Sequence, residues 1–293
     1  MFIATLIASD RLGAGDISAA MDRLDAAGCA PSVHSWIDEG KAADILFGSG
    51  PDAARTALEG AFAGVDIVVQ AVAGREKKLL IADMDSTMIT VECIDELADY
   101  AGIKPQIAAI TEAAMRGELD FEAALDARVA LLAGLEEAVI DRCLAERVRI
   151  MPGAVALIAT MRARGATAIL VSGGFTRFAE PVAAQIGFHR AIANRLEIVD
   201  GMLSGAVAKP IVGSDTKLQT LLAASAELGL LPEQTLAVGD GANDLAMIKA
   251  AGLGVAYHAK PIVAAAAAAR IDHGDLSALL YAQGIPRAEW VLS

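Results

Sequence analysis

A chain of 293 residues with 55% hydrophobic content is long enough to fold as a main domain plus a smaller one, each with its own core. No apolar run approaches the roughly 18 residues of a membrane helix, and the formal net charge of −13 repels nucleic acid phosphates and anionic lipid alike. Any phosphate site must then raise its positive potential locally, from a metal, a few cations and helix N-termini. Cys29, Cys93 and Cys143 are too few and too scattered for a disulfide framework or a metal-ligand spacing. With no basic-then-apolar leader at the N-terminus, the expectation is a cytoplasmic protein with reduced thiols and neither nucleic acid nor membrane as partner.

Residues 1–74 read as a unit of their own. Alternation and turn residues predict a strand over 2–9, a helix over 16–28 with Ile17, Ala20, Met21 and Leu24 on one face, and strands over 31–37 and 41–47. A helix over 51–62, opened by Pro51, and a strand over 65–72 complete the set. The order βαββαβ is the ferredoxin-like arrangement, and it resembles ACT-type domains, which often bind amino acids. No specific ligand motif is present, and a structural or dimerising module fits the same pattern, which leaves a homodimer open. Gly74-Arg-Glu-Lys-Lys78 is the linker.

Residues 75–293 alternate strand, loop and helix. The short apolar run over 79–82 predicts a buried strand ending at Asp83. Residues 93–150 read as helical, with breaks near Gly102 to Pro105, at Arg116-Gly117 and at Gly134, so that a helical lid follows the first strand directly. Met151-Pro-Gly153 predicts the opening of a helix that Gly165 ends. A strand over 167–171 should run into Ser172-Gly-Gly174 and a helix over 175–186, and two alternating runs over 191–207 about Asp200-Gly201 predict a hairpin. There follow a helix over 215–228 with Lys217 in its first turn, a strand over 236–238, and last strands over 253–256 and before Asp272 with a helix over 264–269 between them. The fold class is therefore α/β, a doubly wound parallel sheet with a helical cap insertion at about 93–150 and an N-terminal α+β ferredoxin-like unit.

The chemistry gathers at strand ends. Side chains two apart in extended chain project to one side, so Asp83 and Asp85 converge beyond the first strand, where open α/β sheets place their ligands. Asp83, ionised at neutral pH, can attack phosphorus without a base. Asp85 can protonate the leaving alkoxide and then deprotonate the hydrolysing water, a double role that requires carboxylate neighbours to raise its pKa. Gly239-Asp240-Gly-Ala-Asn243-Asp244 adds two carboxylates at another strand end. Aspartate oxygens without His or Cys suit Mg²⁺, with Asp83, the main-chain carbonyl of Asp85 and Asp240 around the ion and Asp244 in or behind that shell. Ser172-Gly-Gly174 supplies a hydroxyl and backbone N–H groups for a phosphate, and Lys217 can hold the nucleophile and the phosphate oxygens together. Singly, each motif is ordinary: a solvated turn, a helix cap, a surface lysine. Their order along one chain makes them a single site. His34, His189, His258 and His273 stand at no metal spacing and read as core or surface residues, and Cys93 as packing near the pocket.

These four pieces in this order resemble the haloacid dehalogenase superfamily of aspartate-nucleophile phosphohydrolases. Within it, Asp83-Met-Asp85-Ser-Thr87, Glu92, Phe121, Arg128, Asn194-Arg-Leu196 and Asp200-Gly201 resemble the phosphoserine phosphatase family along residues 79 to about 285. The resemblance implies Mg²⁺-dependent hydrolysis of O-phospho-L-serine to L-serine and phosphate, the last step of serine biosynthesis, through an aspartyl-phosphate on Asp83. It implies that Glu92 and Arg128 bind the amino acid end, that Phe121 closes the pocket, and that Ser172, Gly173 and Asn243 contact the substrate. The same motifs fit a phosphotransferase or a phosphatase for another small phosphomonoester. The N-terminal unit also fits an amino acid-sensing regulator on a catalytically silent body.

Overall fold

The computed structural model describes residues 1–115 and 118–292; the break expected at Arg116-Gly117 lies outside the described residues. Four strands, β1 (Phe2–Ala8), β2 (Pro31–Asp38), β3 (Ala42–Phe47) and β4 (Val65–Ala71), form an antiparallel sheet of order β2-β3-β1-β4. This is the ferredoxin-like arrangement. Helices α1 (Ala14–Ala26) and α2 (Pro51–Leu58) cover one face, where Leu6, Ile45, Phe47 and Ile67 meet Ile17, Leu24 and Leu58. Helix α1 starts two residues before the expected position because the Asp16 carboxylate accepts from the Gly13 N–H at 2.8 Å. Helix α2 stops at Leu58 rather than 62, with Gly60 at φ +72° in the turn that follows.

The opposite face of that sheet docks on the rest of the chain, and Ile7, Ala42 and Val68 join the main core. Polar contacts lock the join. The Asp66 carboxylate accepts from the backbone N–H groups of Asp272, His273 and Gly274 at 2.7–3.3 Å. Arg75 donates to both carboxylate oxygens of Asp44 at 2.7 Å, to Thr5 and to the carbonyls of Tyr281 and Ala282.

In the remainder, β5 (Leu79–Ala82) is followed by α3 (Cys93–Tyr100), α4 (Lys104–Met115), α5 (Phe121–Ala130), α6 (Ala138–Glu146) and α7 (Ala154–Ala163). Then come β6 (Thr167–Phe175), α8 (Thr176–Ile186), β7 (Arg190–Asn194), β8 (Leu196–Val199), β9 (Met202–Val207) and α9 (Ser214–Glu227). The chain ends with β10 (Thr235–Gly239), α10 (Leu245–Ala250), β11 (Leu253–Tyr257), α11 (Pro261–Ala266), β12 (Ala269–Ile271) and α12 (Ala278–Ala282). Six strands make a parallel sheet of order β12-β11-β10-β5-β6-β7. Strand β5 is buried on both faces, and its period of two shows in the packing. Leu80 and Ala82 pack with α7, α8 and α12, whereas Leu79 and Ile81 pack with α9, α10 and α11. Among the described residues no helix is long and apolar enough to cross a membrane.

Four local expectations change. Strand β6 runs past its expected end at 171, through Ser172-Gly-Gly174 to Phe175, and the helix follows from Thr176, one residue later than expected. Pro152 lies outside α7, whose N-cap is Gly153 at φ +81°; the Pro signal marked the approach to the helix. Helix α11 begins at Pro261, and Ala269 belongs to β12, because proline at N1 starts the helix earlier than the alanine run suggests. Residues 190–194 are a strand of the main sheet, so the hairpin is only β8 and β9, turning at Asp200 and Gly201, both at positive φ. That hairpin is also part of the cap. It bonds to the α5–α6 connection through Gly134, Leu135 and Glu137 at 2.8–2.9 Å.

Candidate active site

Parallel pairing carries the chain one residue past β5, where the Asp83 N–H donates to the Val238 carbonyl at 3.0 Å. Asp83 thereby lies at the carboxyl end of the sheet beside the turn that follows β10. In that turn Asp244 folds back, its Oδ2 accepting from the N–H groups of Asp240 and Gly241 at 3.2 and 3.0 Å. A Cβ on Gly239 would strike this carboxylate, so the glycine is a steric requirement. Lys217, in the first turn of α9 and fully buried, donates to Asp83 Oδ1 at 2.5 Å and to Asp244 Oδ1 at 2.6 Å. Burial works against its ammonium, but the two carboxylates outweigh burial and hold Lys217 charged above its ordinary range. Asp83 is pushed upward by burial and by the charge of Asp244, with Lys217 opposing.

A cavity of about 690 Å³ opens above this floor. Of the residues singled out from the sequence, Asp83, Asp85, Glu92, Phe121, Arg128, Ser172, Gly173, Asp240 and Asn243 all line it, and Lys217 and Asp244 lie beneath. Asp85 is the acid most poised to exchange a proton. Burial and the neighbouring Glu92 charge push it up to about 7, its Oδ2 accepts from the Cys93 N–H at 3.4 Å, and its buried Oδ1 has no partner among the described residues. Burial and Asp244 push Asp240 up to about 6. Carboxylate oxygens of Asp83, Asp240 and Asp244 lie within 4.8 Å of one another. Three hard oxygen donors whose mutual repulsion is only partly relieved fit a divalent cation such as Mg²⁺. Asp244, already engaged by Lys217 and two N–H groups, stands behind the other two, and the Asp85 side chain is outside the group.

The cap supplies the other wall. Glu92 is the N-cap of α3, yet its side chain does not bond its own helix; Oε1 accepts from Ser86 Oγ at 2.7 Å and the carboxylate faces the cavity. Phe121, at the start of α5, is fixed by its neighbour Asp120, whose Oδ1 accepts from the Ala123 N–H at 2.8 Å. Its ring crosses the cavity to the Ser172-Gly-Gly174 side, where a Cβ on Gly173 would stand 3.0 Å from it and one on Gly213 3.3 Å. Arg128 has no ion pair among the described residues; Nε donates to the Ala124 carbonyl at 3.1 Å, and burial lowers its pKa against the pull of Asp95 and Glu92. Ser172 Oγ accepts from the Gly174 N–H at 2.8 Å.

The sequence profile of haloacid dehalogenase-like hydrolases matches residues 80–249, more than half of the chain. The chain belongs to that family. It is 48% identical to a phosphoserine phosphatase of Streptomyces coelicolor over 239 residues, 80% of this chain and 58% of that one. It is 47% identical to a phosphoserine phosphatase of Mycobacterium tuberculosis over 227 residues, 77% of this chain and 55% of that one. It thus spans little more than half the length of these two relatives. The unliganded structure of a probable phosphoserine phosphatase from Vibrio cholerae superposes with a TM-score of 0.77 at 32% identity, over 99% of this chain and 90% of that one.

Two residues of this haloacid dehalogenase-like site had no role assigned from sequence. Thr87 Oγ1 donates to Asp240 Oδ1 at 3.0 Å and ties the two aspartate loops together. Its signal was its place in Asp-x-Asp-x-Thr. Asn194 is buried and braces the Ser-Gly-Gly segment: Nδ2 donates to the carbonyls of Gly173 and Val212 at 2.9 and 3.1 Å, and Oδ1 accepts from the Val212 N–H at 2.7 Å. Cys93 is wholly buried in the core and does not line the cavity.

Proposed function

We propose that this chain hydrolyses O-phospho-L-serine to L-serine and phosphate, the last step of serine biosynthesis, in the cytoplasm. The observation that carries the reading is that Glu92 and Arg128 line the same cavity as Asp83 and Asp85. A carboxylate and a guanidinium match the ammonium and carboxylate of an amino acid, while the two aspartates match the chemistry of its phosphate. The naming of the relatives supports the same substrate.

In the first step Asp83 Oδ attacks phosphorus, the bond from phosphorus to the serine oxygen breaks, and Asp85 gives its proton to the departing alkoxide. In the second, water attacks the aspartyl-phosphate, its proton goes to the Asp85 carboxylate, and phosphate leaves with Asp83 restored. A proton on Asp85 near neutrality suits the first step, and its unpartnered Oδ1 suits the second. Lys217 keeps Asp83 in place and balances charge as the phosphate approaches. Asp83, Asp240 and the main-chain carbonyl of Asp85, with Asp244 behind, would hold Mg²⁺, which would neutralise the phosphate oxygens in both steps. Ser172, Gly173 and Asn243 would receive the phosphate, and Phe121 would shut water out.

The test is release of inorganic phosphate from O-phospho-L-serine with Mg²⁺ and with EDTA, beside phosphoethanolamine, which lacks the carboxylate, and phospholactate, which lacks the ammonium. Hydrolysis confined to phosphoserine and abolished by EDTA is the expected result. Equal rates on all three would overturn the substrate, and full activity in EDTA would overturn the metal.

A further inference from the structure

The charges lining the cavity do not by themselves favour a phosphate. Among its described lining residues Asp83, Asp85, Glu92 and Asp240 are acidic, and the cations are Arg128 and Lys260, within a chain of net charge −13. Lys217 is engaged by two carboxylates on the floor. Arg128 lies under the influence of Asp95 and Glu92 in the cap. Lys260 alone among the described lining cations is exposed; among the described residues no ion pair or side-chain hydrogen bond engages its ammonium, and its charge acts on the neighbouring Asp240. Resting on the function proposed above, we propose that Lys260 is the substrate-positioning cation at the cavity mouth, drawing in the phosphate dianion and guiding it down to Asp83.

The backbone around Lys260 is built to present it there. Lys260 is the N-cap of α11, and its N–H donates to the Asp240 carbonyl at 3.1 Å, which ties it to the aspartate turn. Two residues earlier His258 stands at φ +43°, a left-handed conformation uncommon outside glycine and found where surrounding contacts enforce it. Those contacts are present. The His258 N–H donates to the Ile271 carbonyl at 2.9 Å, its Nε2 lies 3.0 Å from the Gly274 carbonyl, and its ring meets Tyr257 edge-on at 4.5 Å. Gly274 is itself held by Asp66 of the N-terminal sheet at 2.7 Å. A bend enforced at His258 turns the chain from the end of β11 toward the aspartates, and Lys260 arrives at the rim exposed, its charge within reach of Asp240. An exposed cation facing a dianion acts through long-range attraction, which salt screens, so its signature differs from that of a packing residue.

The experiment compares wild type, Lys260→Gln and Lys260→Arg in two assays over a range of NaCl concentrations. One is calorimetric binding of inorganic phosphate with Mg²⁺ present; the other is steady-state turnover of O-phospho-L-serine. Lys260→Gln is expected to weaken phosphate binding and raise KM by about three- to tenfold, leave kcat within about twofold, and flatten the salt dependence of both assays, while Lys260→Arg retains wild-type behaviour. Phosphate affinity and salt dependence unchanged in Lys260→Gln, or a loss confined to kcat, would overturn the assignment. The two readings fail separately. A wild type that binds phosphate through Lys260 yet releases none from phosphoserine overturns the proposed substrate alone, and turnover of phosphoserine that is indifferent to Lys260→Gln overturns the capture role alone.

Discussion

Aspartates stand at both sheets of this molecule, and they live in opposite circumstances. In the antiparallel sheet, Asp44 receives two bonds from Arg75 and one from Thr5, and Asp66 receives backbone N–H groups from three successive residues. At the end of the parallel sheet, Asp85 keeps an oxygen without a partner among the described residues, and Asp85 and Asp240 are pushed up to about 7 and about 6. The first pair is saturated and holds two layers together. The second set is short of positive charge, and a folded chain tolerates such a shortage where a ligand or a reaction uses it.

The sharpest break between the two sets is Asp83→Asn. Losing the oxygen proposed to attack phosphorus should lower phosphoserine turnover by at least about a thousandfold, while relief of carboxylate crowding leaves the melting temperature unchanged or raised. Phosphate release and a thermal melt on the same sample check both halves. The mirror experiment is Arg75→Met, which strands Asp44 beneath the N-terminal sheet. It should cost about 3 kcal/mol by denaturant titration, with kcat/KM within about twofold of wild type. Arg128→Ala should act on neither the fold nor the reacting oxygens. A rise in KM for phosphoserine of about ten- to a hundredfold is expected, a smaller change in kcat, and little change with p-nitrophenyl phosphate, which has no carboxylate to lose.

The same contrast explains what could be read from the chain before its structure. Local signals served well: Pro51 at the first turn of α2, Asp200-Gly201 at the hairpin, and the four-residue apolar run of β5 that delivers Asp83. Asp83, Asp85, Asp240 and Asp244 were legible because each follows β5 or β10 within a few positions, and parallel pairing brings those two strand ends together. What local pattern did not show depends on partners far along the chain. The apolar run over 167–171 does not show that the strand continues through Ser172-Gly-Gly174 to Phe175, where Asn194, about twenty residues away, braces the carbonyl of Gly173. The link from Thr87 to Asp240 crosses more than half the chain. A proline says that a helix is near but not on which side of it the first turn lies, as Pro152 outside α7 and Pro261 inside α11 show.

The smallest effect concerns Asp240, and it tests directly whether the acids at the parallel sheet's end are held short of charge. In the folded chain its pKa is raised from 3.8 to about 6, by burial first and by Asp244 second. A raised carboxyl binds its proton more tightly folded than unfolded, so its stabilising contribution is fully present below about pH 4 and is lost as the pH climbs through about 6. Asparagine cannot ionise. In EDTA, Asp240→Asn should therefore melt above the wild type at pH 7, by about 2–4 °C, because water entering the cavity screens the cost to on the order of 1 kcal/mol. That advantage should shrink as the pH is lowered toward 4. Saturating Mg²⁺ should then reverse the order at pH 7, since the cation supplies the wild type with the charge that the variant no longer needs. Melting curves that run parallel at every pH, with and without Mg²⁺, would mean that Asp240 is as well satisfied as Asp44 and that the two sheets do not differ in this respect.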